Sequence, residues 1–277
     1  MATQVPASSD ESVKIANDSG FPLQIAIQHA VETAHKQHHH GWRVAHIEHA
    51  WQQPDDSGGF IDLVIRDGHG VVNLVVECKR QRDSAWVFMA TSGQASNRRH
   101  AKAWVTFNGV QGERVCEWAE VPVDPMSPEA HFCAVSGQAP NERNALLERA
   151  AAQVVLATES LAHHERDFWD ERHDSIRLYY NVVVTNARLK VVNFDPASIS
   201  LTDGTIGTIR DVQEVPYLRF RKQFSWRQPV LTVADWHSRA DTDYLQQNTV
   251  FVVHANSLMS FLADFEVPND SFRPYQR

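Results

Sequence analysis

Asp62, Glu77 and Lys79 are the residues of this chain whose types and spacing fit them for chemistry. Asp62 lies in the run Gly59-Phe60-Ile61-Asp62-Leu63-Val64-Ile65, and the other two lie in Val72-Asn73-Leu74-Val75-Val76-Glu77-Cys78-Lys79-Arg80. Both runs are apolar and β-branched, as strands are. Between them Arg66-Asp67-Gly68-His69-Gly70 has the composition of a turn, so the pair reads as a β-hairpin. Side chains alternate along a strand, which puts Glu77 and Lys79 on one face. A hairpin centred on residues 68 to 71 sets Asp62 almost opposite Glu77, where β-carbons stand about 4.5–5.5 Å apart. Two carboxylates among aliphatic neighbours are costly to bury and repel one another. A divalent cation relieves that repulsion, and the lysine beside them can offset phosphate charge or help activate water.

The elements around the hairpin give these side chains a frame. Phe21 to Lys36 reads as a helix, with Pro22 in its first turn and Leu23, Ile27, Ala30, Val31 and Ala34 on its apolar face. Trp42 to Trp51 reads as a first strand, so the chain opens α-β-β-β. Residues 83–140 break the pattern with short strand-like pieces separated by Gly, Pro and Asp, and read as an insertion that is mostly β or irregular. Asn141 to about His164 is expected to be a helix striped by Leu146, Ala150, Val154, Ala157 and Leu161. Asn181–Thr185 and Lys190–Phe194 read as a strand pair turning at Asn186-Ala187. A strand is expected near Tyr217–Phe220 and another over Thr249–Ala255, with a last helix capped by Asn256 or Ser257.

Asp62 followed by Glu77-Cys78-Lys79 resembles the active-site pattern of the PD-(D/E)xK nuclease superfamily, and among its members the Mrr-like restriction endonucleases. In these a Gly-x-Asp strand precedes a strand ending in acid-x-Lys. Gly59-Phe60-Ile61-Asp62 and Glu77-Cys78-Lys79-Arg80 carry the likeness, which covers residues 20 to 80 well and the remainder loosely. It implies an α/β fold: a restriction-endonuclease-like core with a mixed central β-sheet flanked by helices. It also implies a Mg²⁺-dependent (or Mn²⁺-dependent) phosphodiesterase, with Asp62, Glu77 and the Cys78 carbonyl as metal ligands. Related nucleases place an orienting Gln on the helix after the acid-x-Lys strand; Gln153 occupies that place, although the usual Gln-x-x-x-Tyr form is absent because residue 157 is Ala. Some members add an acid for a second metal from the first helix or strand. Glu48 is the candidate here; Gln24 and Glu32 lie on the helix, Glu32 away from its apolar stripe.

The formal charge of −8 excludes a protein that coats nucleic acid by bulk attraction. Local basic stretches remain: Arg80, Arg98, Arg99 and Lys102 after the hairpin, and Arg219, Arg221 and Lys222 within an aromatic segment. They are candidates for gripping a phosphate backbone. The histidines cluster but form no HExxH-type set, so zinc is not expected. No apolar stretch approaches the roughly 20 residues of a membrane span. Residues 1–19 are polar and read as a flexible tail before a single domain over 20–277. Three cysteines without disulfide-type spacing suit a reducing cytoplasm.

The functional expectation is a DNA endonuclease, with a role in defence against foreign DNA as one setting for it. An RNase, or a binding module of the same fold without hydrolysis, is the alternative. A homodimer or a partner protein of a defence system also stays open.

Overall fold

The computed structural model describes residues 8–53, 56–81, 84–91, 97–108, 114–135, 146–166, 168, 176–224, 246–269 and 271. It is an α/β fold built on a nine-stranded mixed sheet with helices on both faces. Helix α1 (Ser8–Asp18) occupies part of the segment expected to be a loose tail. Helix α2 (Phe21–Lys36) follows Gly20, whose left-handed φ of 87° turns the chain between them. Strands β1 (Arg43–Gln52), β2 (Gly58–Arg66) and β3 (Val72–Lys79) form an antiparallel meander. The turn joining β2 to β3 is closed by Asp67, whose Oδ1 accepts from Val72 N at 2.9 Å, with Gly70 at a φ of 74°.

The described residues between 84 and 135 are mostly β. They contribute β4 (Ala85–Thr91), β5 (Arg98–Asn108), β6 (Arg114–Ser127), β7 (Glu129–Ala130) and β8 (Phe132–Val135). Helix α3 (Leu146–Arg166) then returns the chain to β9 (Ile176–Thr185), which pairs parallel to β3. Residues 141–145, where the helix was expected to begin, lie outside the described residues.

The expected pairing of 181–185 with 190–194 does not occur. Both segments are strands, but β10 (Arg188–Phe194) leaves the main sheet at Asn186-Ala187 and pairs parallel to β4. Packing explains the switch: β3 covers one edge of β9, and β5 and β13 (Asn248–His254) share the other. A second sheet therefore forms in the order β11-β10-β4-β8, with β11 at Ile209–Glu214. β12 (Tyr217–Lys222) rejoins the main sheet beside β13, and helix α4 (Leu258–Asp264) closes the described chain. Ser257 precedes α4 without capping it through its side chain; His254 Nδ1 accepts from Asn256 N instead.

Strand alternation divides the core in two. Leu63, Leu74, Val76, Tyr180 and Val253 face α2 and α4, where Ile27, Val31 and Phe261 meet them. Val64, Val75 and Val183 face α3 and the second sheet, against Val154, Leu161, Phe88 and Leu189. Glu77 and Lys79 follow Val75 in parity and belong to the α3 face. No helix among the described residues is long and apolar enough to cross a membrane.

Candidate active site

β2 and β3 pair from Arg66–Asn73 only as far as Leu63–Val76. Beyond that point they part: β2 stays with β1 down to Gly58, while β3 stays with β9 up to Lys79. Asp62 and Glu77 stand at the fork, opposite one another by continuation of the register. Where the next ladder bond would form, Asp62 Oδ2 accepts from the Cys78 N–H at 2.6 Å. The aspartate thus holds the fork and places its carboxylate in it. Lys79 Nζ donates to Glu77 Oε1, as two residues on one face of a strand allow.

Glu48 joins this group from β1. It lies between the register pairs Ile47–Leu63 and His49–Ile61, facing Asp62. Its φ of 47° is left-handed, a conformation that costs a non-glycine residue on the order of 1–3 kcal/mol and persists where surroundings enforce it. The surroundings include Gln24 of α2. Its Nε2 donates to Glu48 Oε1 at 2.6 Å and to the Asp62 carbonyl at 3.1 Å. Gln24 is buried where the apolar pattern had favoured Leu23, because it serves this bridge rather than the core. Glu32 takes no part; its carboxylate accepts from Gln28 at 3.0 Å.

The electrostatics follow from burial among like charges. Burial raises Asp62 above the ordinary carboxylate range, against the Cys78 N–H and Lys79, and Glu48 adds to the rise. Glu77, 5% exposed, is pushed up to about 6 by burial and by the Asp62 charge, with Lys79 opposing. Burial and the same acids hold the Cys78 thiol well above its usual value, which removes it as a nucleophile.

Gln153 of α3 lies beside Gly59. A β-carbon on Gly59 would lie 3.6 Å from Gln153 Nε2 and 3.4 Å from Trp51 Nε1. Among the described residues, Gln153 forms no hydrogen bond to Asp62, Glu77 or Lys79; it borders the fork without joining the acids.

The basic candidates divide sharply. Arg219 and Arg221 are fully buried. Arg219 donates to the carbonyls of Pro125 (3.0 Å) and Val123 (2.9 Å) and to Ser127 Oγ (2.6 Å), and lies over the Phe251 ring. Arg221 pairs with Glu120. Both satisfy polar groups inside the fold, so the expectation that they grip nucleic acid is corrected. Lys102, 4% exposed, is corrected for the same reason. Lys222 bonds Glu148 at 2.5 Å, and Arg99 bonds Asp124 at 2.7 Å at the surface. Arg98 is exposed, and Arg80 follows Lys79 at the mouth of the fork, partly exposed.

The fork suits a hard divalent cation. Oxygen donors alone are present, their charges are incompletely compensated, and one oxygen of each carboxylate is engaged by Cys78 N or Lys79 while Asp62 Oδ1 and Glu77 Oε2 accept no hydrogen bond among the described residues. Magnesium is commonly held by one or two carboxylates and keeps several waters. Among the described residues no group of three or more His, Cys, Asp or Glu side chains is arranged as a ready-made metal cage, and none of the histidine clusters is one.

A second polar cluster escaped the sequence pattern. Glu165 of α3, 8% exposed, receives Arg66, Arg177 (3.1 Å), His46 (3.3 Å) and the Tyr179 hydroxyl (2.7 Å). Its partners come from three strands, β1, β2 and β9, and two of them lie about a hundred residues before it, so no local spacing signals the whole set. Cys78, Cys116 and Cys133 are free thiols. Comparison with protein-family models, with curated proteins and with solved structures gave no match to this chain, so any functional reading stands on the geometry of the fork itself.

Proposed function

We propose that this chain is a metal-dependent nuclease that hydrolyses phosphodiester bonds of DNA, with a restriction-endonuclease-like core formed by α2, β1–β3, α3 and β9. The observation that carries the reading is the fork: Asp62, Glu77 and Lys79 converge where two core strands separate, and Glu48 is held beside them in a strained conformation. Buried carboxylates with raised proton affinity and a specific charged partner are a common mark of functional sites. The order helix, antiparallel meander, crossover helix, parallel strand adds support.

In this reading Asp62 and Glu77, with the Cys78 carbonyl, hold one or two Mg²⁺ ions. Bound there, the cation supplies Lewis acidity toward water and phosphate. Lys79, which donates to Glu77 Oε1, would position the attacking water and offset charge on the phosphate. Gln24 keeps Glu48 and the Asp62 backbone in place. Raised proton affinity at Glu77 makes metal capture weaken as pH falls through about 6.

The test is incubation of purified protein with plasmid, linear, single-stranded DNA and RNA in Mg²⁺, Mn²⁺ or EDTA, with calorimetric metal titration in parallel. Metal-dependent DNA cleavage, lost with Glu77→Gln together with metal binding, supports the reading. Cleavage of RNA alone makes the chain an RNase, and metal-independent cleavage ends the two-carboxylate mechanism.

A further inference from the structure

A groove of about 960 Å³ lies between the end of β1 and the last turns of α3. It does not include Asp62 or Glu77, but it reaches their strand: Gly58 lines it, four residues before Asp62 and roughly 13 Å away along β2. Trp51 forms the partition. It lines the groove, and its buried Nε1, without a hydrogen-bond partner among the described residues, lies beside Gly59 and Gln153 at the border of the fork.

Aromatic rings follow one another along this region. Phe168 meets His164 edge-on with centroids 5.2 Å apart, and tilted contacts join His164 to His49 at 6.0 Å and His49 to His46 at 4.7 Å. Phe168 is 77% exposed, so its contact with His164 buries little and does not belong to the core. Burial, then His46 and His164, holds His49 below the ordinary histidine range, so that at neutral pH it offers an uncharged ring. Arg166 and His163 also line the groove, and Asp56 is the one acid among its described lining residues. The neighbouring Glu165 is neutralised by its own partners. Flat rings beside an arginine are what the bases and backbone of an unpaired strand require. Base–aromatic stacking tolerates any sequence, because every base has a π-face.

We propose that this groove holds unpaired nucleotides of the substrate, stacked on Phe168, His164 and His49, while the strand continues over Gly58 and Gly59 to the fork. The substrate class is therefore nucleic acid with a single-stranded segment flanking the cleaved bond: a flap, gap, overhang or free strand. The assignment rests on the nuclease reading for its direction toward Asp62 and Glu77, but the binding itself does not need hydrolysis.

Binding is measured by fluorescence anisotropy in EDTA, with a labelled thymidine 12-mer and a blunt 12-base-pair duplex, on the full chain. The variants are Phe168→Ala, His164→Ala and the double; both side chains are exposed, and circular dichroism melting verifies the fold. Each single change is expected to weaken single-strand binding roughly tenfold, and the duplex by no more than about twofold. Unchanged single-strand affinity in the double variant overturns the groove, as does a wild type that does not bind the 12-mer. Equal loss on strand and duplex overturns the assignment to unpaired bases. Cleavage in Mg²⁺ is scored separately: groove-dependent binding without any cleavage removes the nuclease reading and leaves the groove standing, whereas cleavage with intact binding in the double variant does the reverse.

Discussion

Two buried carboxylate clusters sit on the same α3 side of β2 and β3, at opposite ends, and they are electrostatic opposites. At the hairpin end, Glu165 is nearly as buried as Glu77, and burial alone would raise it. Yet His46, Arg66, Tyr179 and Arg177 together bring it down to about 2. At the fork, Glu77 has one cation, Lys79, and two acid neighbours, and it rises to about 6. Their burial is similar; the number of cationic partners differs. A cluster that completes its own hydrogen bonding holds structure together. One left short of positive charge is poised to gain it from outside, and that contrast is why the fork and not the Glu165 network reads as the site.

The largest effect expected from breaking this contrast is on turnover. Asp62→Asn, Glu77→Gln and Lys79→Ala should each reduce cleavage by roughly ten-thousandfold, and the triple variant should lose little more, because residues acting as one unit are non-additive. Glu165→Gln should retain cleavage wherever it remains folded. Single-turnover rates for the five proteins decide this; a Glu165→Gln loss as deep as that of Glu77→Gln, at full fold, would make the two clusters functionally alike.

Stability should respond in the opposite order. Removing Glu165 leaves Arg66 and Arg177 buried without their partner, a loss on the order of 3–5 kcal/mol. Its pH signature is equally specific. The folded value lies below the unfolded one, so Glu165 stabilises fully above about 4.5, and the contribution disappears as pH falls toward about 2. Denaturant titrations between pH 5 and 2 should fall steeply for the wild type and more gently for Glu165→Gln. Parallel slopes would deny the network its stabilising role.

How much of this was legible beforehand follows from locality. Asp62 and Glu77 share a hairpin, so turn composition and strand parity alone placed them face to face. Helix α3 and most strands followed from period in the same way. The burial of Arg219 and Arg221 is not legible because their alternation with Leu218 and Phe220 looks the same whether the outer face meets solvent or another strand; it is β6, with carbonyls and Glu120 to satisfy, that meets them. The separation of β9 from β10 was equally hidden, since occupancy of both edges of β9 is decided by β3, β5 and β13. Gln24 was seen on its helix but given no partner, because the match to Glu48 spans two elements.

A smaller effect tests Glu77 from the stability side. Its folded value is above the unfolded one, so its proton stabilises the fold below about 4.5, and that contribution is lost as pH rises through about 6. At pH 7.5 without metal, the ionised carboxylate therefore costs about 2 kcal/mol. Glu77→Gln should raise the metal-free melting temperature there by a few degrees and change it little at pH 4.5. Mg²⁺ should stabilise the wild type and not the variant. A variant that melts lower than wild type at pH 7.5 would mean that the Lys79 pair outweighs burial and repulsion, and the fork would then resemble the Glu165 cluster after all.

The smallest expected effect separates exposed from buried positive charge. Arg98 is exposed, whereas Arg219 spends its donors on Pro125, Val123 and Ser127. If Arg98 touches a backbone phosphate, Arg98→Glu should weaken DNA binding severalfold and lower the slope of log affinity against log salt by about one. Arg219→Met should leave that slope unchanged in whatever fraction stays folded, and should register as lost stability, because the carbonyls of Pro125, Val123 and Arg99 and the Ser127 hydroxyl lose a donor at once. Anisotropy titrations at several salt concentrations, with melting curves for both variants, measure the two quantities independently. A salt slope altered by Arg219→Met and not by Arg98→Glu would reverse the division between structural and substrate-facing arginines on which the basic surface is drawn.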